Sequence, residues 1–307
     1  MGRAVAMALV GVLASSPLLG QSAGMLVLEA PASTESMAYG NAPYLFSASP
    51  SLIFYAPGLI ETTAGVDASL QRYASEGTLA SAAAAGSVFG GGFAIGIQYM
   101  RYGTAEFPTI RDVQSQALTE GSIGVSEFVG TIGYARTILG IRTGATLKFA
   151  EQSGNATRES GAAFDLGLAK DVGPVMISLA GRNFGGDVTL SPGPEGSQDV
   201  TLELPRQYIA GVSVDDFEVG PLDMFLTSQV IRRRDGEYIP AGGVELSYWP
   251  VAGYTFRLRG GLQRVAGDDR SPFTYGAAFT GDDITIEYAF QAFDGEGNGH
   301  RIGLRWR

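Results

Sequence analysis

The chain has 307 residues, a formal net charge of −10, one histidine and no cysteine. An acidic chain lacks the basic field that binds nucleic acid by releasing counterions. Without cysteine it has no disulfide, no thiolate metal site and no cysteine nucleophile, and His300 alone cannot make a two-histidine site, so no metal or cofactor is expected. The 44 glycines are about twice the usual ~7%, and the charged share of 17% falls below the usual ~25%. Much glycine with 10% aromatics suits tight turns and strands seated against lipid.

Residues 1–23 read as an export signal: Arg3, then the apolar run AVAMALVGVLA, then small residues at GQSAG. The run is short and broken by Pro17, which favours cleavage over a retained helix, and no later stretch reaches 18 apolar residues. Residues 24–61 mix small residues, prolines and aromatics without a strand period. Their apolar content argues against disorder and points to a hatch or plug tucked into the mouth of whatever follows.

From residue 62 onward the chain alternates with period two, the signature of strands with one apolar and one polar face. In DITIEYAFQAF, Ile284, Ile286, Tyr288 and Phe290 share one face, and Asp283, Thr285, Glu287 and Gln291 the other. YTFRLRGGLQ and IRTGATLKF repeat the pattern. About fourteen such segments are expected: 62–73, 78–88, 92–102, 124–136, 139–150, 161–171, 174–183, 206–216, 221–232, 239–249, 254–265, 272–280, 283–293 and 299–307. An even number of ~10-residue strands is what a closed barrel in lipid requires, because hydrocarbon forbids unpaired sheet edges.

The connections carry a second signal. Those after even-numbered strands are short, near 89–91, 137–138, 173, 217–220, 250–253 and 281–282. The two of about twenty residues, 103–123 and 184–205, both follow odd-numbered strands. Outer-membrane barrels sort their loops this way, short on the periplasmic rim and long outside. The expected fold is an all-β transmembrane antiparallel β-barrel of about 14 strands over residues 62–307, in contact with outer-membrane lipid, with an N-terminal hatch.

Several stretches resemble the PorV/PorQ family, within the larger group of FadL-type outer-membrane barrels. TESMAYGNA (34–42) and SLIFYAPGL (51–59) match its hatch, with the motif at Tyr55, Ala56, Pro57, Gly58 and Leu59. GGVELSYWPV (242–251), GRNFG (181–185), LPRQYIAGVSV (204–214) and HRIGLRW (300–306) match its later segments. The chain departs from the pattern at Ala56, where an asparagine is expected, at Glu35, where an arginine is usual, and at Arg307, which follows the aromatic end. The resemblance implies association with type IX secretion, with secretion-system proteins and secreted cargo as partners. The alternative is a FadL-type conduit whose lumen binds a hydrophobic small molecule.

The lumen face is expected to hold Arg142, Lys148, Asp165, Glu245, Arg257, Arg259, Glu287, Arg301 and Arg305. Adjacent strands set Glu245 beside 257 and 259, and Glu287 beside 301 and 305, as an ion-pair lattice or a selective lining. DGEGNGH (294–300) imitates a calcium loop, but position 305 is arginine where the closing glutamate belongs. RRRDG (232–236) suits a strand end able to meet anionic headgroups. No G-x-S-x-G is present and His300 has no triad partner near it in sequence, so no enzyme is expected.

Overall fold

The computed structural model describes residues 25–307 except 74–76, 104, 107–109, 112–117, 120–121, 155–157, 187, 191–199, 203, 265–269 and 294–296. The export signal and the first three residues of the calcium-loop imitation therefore lie outside the described residues.

Fourteen strands close into one antiparallel barrel, each paired with its sequence neighbours. They are β1 Gly65–Arg72, β2 Thr78–Val88, β3 Gly91–Arg101, β4 Ser126–Ile138, β5 Ile141–Ser153, β6 Arg158–Val172 and β7 Val175–Gly185. The second half is β8 Gln207–Val219, β9 Leu222–Arg233, β10 Tyr238–Val251, β11 Tyr254–Gln263, β12 Arg270–Gly281, β13 Ile284–Phe293 and β14 Gly297–Trp306. β14 closes the ring on β1, with Trp306 opposite Val66 and Arg305 opposite Asp67. Closure leaves no edge, as spanning requires.

The period-two pattern becomes inside and outside. Along β14, Arg301, Gly303 and Arg305 are buried, while Ile302, Leu304 and Trp306 face outward, Ile302 at 63% exposure. Outward apolar residues recur on every strand, among them Leu70, Ile97, Leu147, Leu179 and Ile286. Aromatics gather near one rim, including Phe93, Tyr134, Trp249, Tyr254 and Trp306, where rings straddle a membrane–water interface.

That rim carries six two-residue turns, at 89–90, 139–140, 173–174, 220–221, 252–253 and 282–283. Phe89 and Gly90 have φ of 52° and 70°, and Leu139 and Gly140 have 51° and 76°. Positive φ at both central residues is the type I′ geometry that matches strand twist. The sequence reading put the second of these turns at Thr137 and Ile138. Leu139, an apolar residue in a left-handed conformation, hid it. The longer connections, 102–125 and 186–206, lie on the opposite rim with the other odd-numbered ones.

Residues 25–64 lie inside the barrel. They form short turns of 3-10 helix at Leu26–Leu28, Pro50–Phe54 and Pro57–Thr62, and one short helix, α1, Thr34–Ala38. α1 is started by Ser33, whose Oγ accepts from the Ser36 N–H at 3.1 Å while Ser36 Oγ accepts from the Ser33 N–H, a capping box. The expected start of strand 1 at residue 62 moves to Gly65, because Pro57 sets a 3-10 turn that runs to Thr62.

Candidate functional site

The barrel interior is the candidate site. The N-terminal segment begins near the long-loop rim, where the Val27 N–H donates to Glu127 Oε2 at 2.8 Å and Gln98 donates to the Val27 carbonyl at 3.1 Å. It ends at the two-residue-turn rim, where Ile53, Phe54, Leu59 and Ile60 are buried with Ala94, Ala135 and Ala169 of β3, β4 and β6. Each fully buried side chain of that size is worth about 1.5–3 kcal/mol.

Inward glycines let the segment sit against the wall. A Cβ on Gly144 of β5 would collide with the Pro57 carbonyl, and one on Gly243 of β10 would lie 2.8 Å from Tyr39 Cα. On β14, a Cβ at Gly303 would lie 2.5 Å from Thr34 Oγ1. The glycine excess noted in the sequence thus has a use beyond turns: it makes room for a second layer of backbone.

On the β9–β14 and β1 side the segment is held by charge. Arg259 donates from Nε to Glu245 Oε2 at 2.6 Å and from Nη1 to Glu287 Oε1 at 2.8 Å, and its guanidinium lies 5.4 Å from the Tyr39 ring centroid. The Tyr39 hydroxyl also donates to Glu245 Oε2, at 2.6 Å. Arg305 donates to Glu35 of α1, with Glu287 Oε1 at 3.4 Å and Asp67 Oδ2 at 3.4 Å. Ser47 Oγ donates to Glu35 Oε2 at 3.2 Å, and Arg259 Nη2 lies 3.8 Å from the same oxygen. Burial alone would raise the Glu35 carboxyl, but Arg305, and behind it Arg259, outweigh burial and hold it at about 2. Burial, reinforced by Glu245, raises the Tyr39 hydroxyl well above its usual range, so it stays a donor.

All nine lumen residues named from the sequence are buried or half-buried and point inward. Arg257 is half-buried, with Glu245 at 3.4 Å and Thr280 Oγ1 at 2.5 Å. Lys148 and Asp165 form a separate buried pair at 2.7 Å; Lys148 also donates to Asn183 Oδ1 at 2.8 Å. Asp165 takes the Asn183 N–H at 2.7 Å, at a bulge between β6 and β7. Arg142 sits apart near the two-residue-turn rim, paired with Asp171 at 2.6 Å.

One expected pairing is corrected. Arg301 does not meet Glu287. Its donors go to Ser69 Oγ at 2.7 Å, Ser81 Oγ at 2.8 Å, Gln71 Oε1 at 3.3 Å and the Pro31 carbonyl at 2.6 Å. The inward positions of β1 and β2 beside it are Ser69, Gln71 and Ser81, so an arginine reaching the N-terminal segment is satisfied by neutral oxygens. Of the hatch-motif residues, Tyr55 donates or accepts at Ser36 Oγ and accepts from the Ala32 N–H at 2.5 Å. Ala56, Pro57, Gly58 and Leu59 are buried against the wall.

The sequence reading missed Glu35 and Tyr39 of the segment, and Asp67, Glu127 and Arg182 of the wall. Arg182 donates to the Leu28 carbonyl at 3.2 Å. Asp67 had a signal, alternating with Val66, Ala68 and Leu70; Glu35 had none. Among the described residues no group of three metal-ligating side chains occurs.

Solved structures with the same fold include hydrocarbon channels. The Pseudomonas putida toluene transporter TodX matches with TM-score 0.58 and 11% identity, covering 89% of this chain and 96% of that one. The Ralstonia pickettii toluene transporter TbuX gives 0.59 and 14%, covering 90% and 98%. The CymD monoaromatic hydrocarbon channel gives 0.54 and 11%, covering 89% and 96%. No protein-family model and no curated protein matches the chain, so the likeness to the PorV/PorQ family finds no counterpart there. At 11–14% identity these likenesses show a shared closed-barrel fold.

Proposed function

We propose that this protein is an outer-membrane channel of the FadL type that passes a small hydrophobic molecule, with residues 24–61 as its hatch. The observation that carries the reading is a segment of about forty residues folded inside a fourteen-stranded barrel, an arrangement of the same fold as toluene transporters along nearly their whole length. The secretion role rests on short stretches that internal packing already explains. Gly243 and Glu245 of GGVELSYWPV receive Tyr39, and Gly303 and Arg305 of HRIGLRW receive Thr34 and Glu35.

The test is uptake of a labelled monoaromatic hydrocarbon by cells whose own channels are deleted, expressing the chain. Uptake should rise several-fold over empty vector, and Ala83→Trp, which fills the apolar side of the interior, should return it to background while the barrel stays inserted. An inserted, folded barrel that leaves uptake unchanged refutes the proposal. Co-purification with a secretion channel in that case would restore the secretion reading.

A further inference from the structure

The outer wall holds a depression of about 660 Å³, opened across β5–β10 and away from the lumen. Its lining includes the outward-facing Leu166, Leu168 and Leu179, with exposures near one half. Gly181 and Ala210, small and outward, leave it low beside the ring pair Phe184 and Tyr208, whose centroids are 5.6 Å apart. The register places Thr143, Leu168, Leu179, Ala210 and Val230 in one row across β5 to β9. Four strand spacings of about 4.8 Å make that row roughly 19 Å long. Strands in such barrels tilt by roughly 40°, so the row runs obliquely through the bilayer, as an acyl chain can.

One end of this groove is basic. Arg232 stands there, opposite Tyr208 on β8 and Tyr238 on β10, with its guanidinium 6.0 Å from the Tyr238 ring centroid. Arg206 lies two residues before Tyr208, its guanidinium 5.4 Å from the Phe184 ring centroid. Neither arginine has an acid partner among the described residues, and Arg206 Nε is buried without a hydrogen-bond partner. Two arginines at the same rim do have acid partners: Arg158 pairs with Glu151 at 2.7 Å and Arg233 with Glu29 at 2.7 Å. A ring stacked on a guanidinium covers its face and leaves its N–H edge free, the edge that grips phosphate.

We propose that this groove is a binding site for one phosphorylated membrane lipid, its phosphate on Arg206 and Arg232 and an acyl chain along the row from Ala210 to Leu168. A free phosphate would leave the apolar depression unused, and a neutral lipid would offer no acid to two ring-stacked cations that have none among the described residues. The charge at one end and the grease along the rest fit a lipid whose headgroup lies at the long-loop rim.

The test is native mass spectrometry of the full chain released from mild detergent. The probes are phosphatidic acid, diacylglycerol with the same chains, and inorganic phosphate. One phosphatidic acid should remain bound, diacylglycerol should be retained at least tenfold less, and phosphate should not compete. Arg206→Gln/Arg232→Gln should lower phosphatidic acid retention about tenfold, and Ala210→Trp should do the same by filling the groove. Arg72→Gln, at the same rim on β1, should leave it unchanged. Heat-modified gel mobility shows that each variant is a folded barrel. Equal retention of the two lipids, or full retention by both groove variants, overturns the proposal. Hydrocarbon uptake is a separate readout, so this site and the channel reading fail independently.

Discussion

Replacing Glu35 by glutamine removes the one carboxylate that the N-terminal segment offers to Arg305 and Arg259. The carboxyl sits at about 2 against an ordinary 4.5 and is fully buried. At about 1.36 kcal/mol per pKa unit, that difference makes the ionised form worth about 3 kcal/mol to the docked segment. Removing one partner of a buried ion pair costs about 3–5 kcal/mol by independent reasoning, because the other charge stays buried. Here Arg305 keeps Glu287 and Asp67, so the lower figure applies. About 3 kcal/mol is roughly a hundredfold in the opening equilibrium. Hydrogen exchange of residues 34–46 in the folded barrel should therefore speed up about a hundredfold at pH 7 in Glu35→Gln. The folded value lies below the unfolded one, so the wild-type contribution is complete above pH 4.5 and is lost as pH falls towards 2. Wild type and Glu35→Gln should converge over that window. Equal protection of the two proteins at pH 7 would refute the claim that this charge docks the segment.

Gly144→Val drives a side chain into the Pro57 carbonyl. It should lower stability by about 1–3 kcal/mol, read as a lower unfolding midpoint, and raise leakage of small polar solutes through the two-residue-turn rim. Lys148→Met leaves Asp165 buried without its cation and should cost about 3–5 kcal/mol, whereas Lys148→Met/Asp165→Asn should recover most of that loss in the same denaturant titration. Ile97→Arg, outward on β3, should destabilise the barrel in lipid by about 2–4 kcal/mol if it sits near mid-bilayer.

Strand positions and inward faces were legible because lipid outside and polar groups inside impose period two on each strand separately. DITIEYAFQAF reads correctly without reference to any neighbour. Pairings between adjacent strands were half legible. The turn at 252–253 alone would set Glu245 opposite Gly260, and a one-residue irregularity between Tyr248 and Val251 brings it opposite Arg259. Arg301 shows where this reasoning stops. Its charge suggested an acid, but its surroundings include β1 and β2, which meet β14 only through closure, and those strands offer Ser69, Gln71 and Ser81. The role of Glu35 was not legible. The residue lies in a segment without period, and its partner Arg305 is 270 residues away. Its departure from the family pattern was visible, but only the arginines facing it give the carboxylate a meaning.

The two sides of the interior differ in what it costs to move the segment. Towards β9–β14 and β1, displacing α1 separates Glu35 from Arg305 and Tyr39 from Glu245, and leaves buried charges without partners. Towards β2–β7, the segment meets the wall through Ile53, Phe54, Leu59 and Ile60 against alanines, with Leu28 and Val27 against Leu79 and Val129 higher up. Thr131 and Thr146 on that side have buried hydroxyls without partners in the described structure, so the wall there does not tie the segment by hydrogen bonds at those points. Parting an apolar contact costs the surface exposed to water, and a hydrophobic molecule entering the gap restores it, because burial depends on apolar area rather than on which atoms supply it. Parting an ion pair offers such a molecule nothing. Under the proposed channel reading, a hydrocarbon's least costly path runs along the seam where Ile53, Phe54, Leu59 and Ile60 meet the alanines of β3, β4 and β6, clear of the polar ties from Glu127, Gln98 and Arg182 to residues 27 and 28.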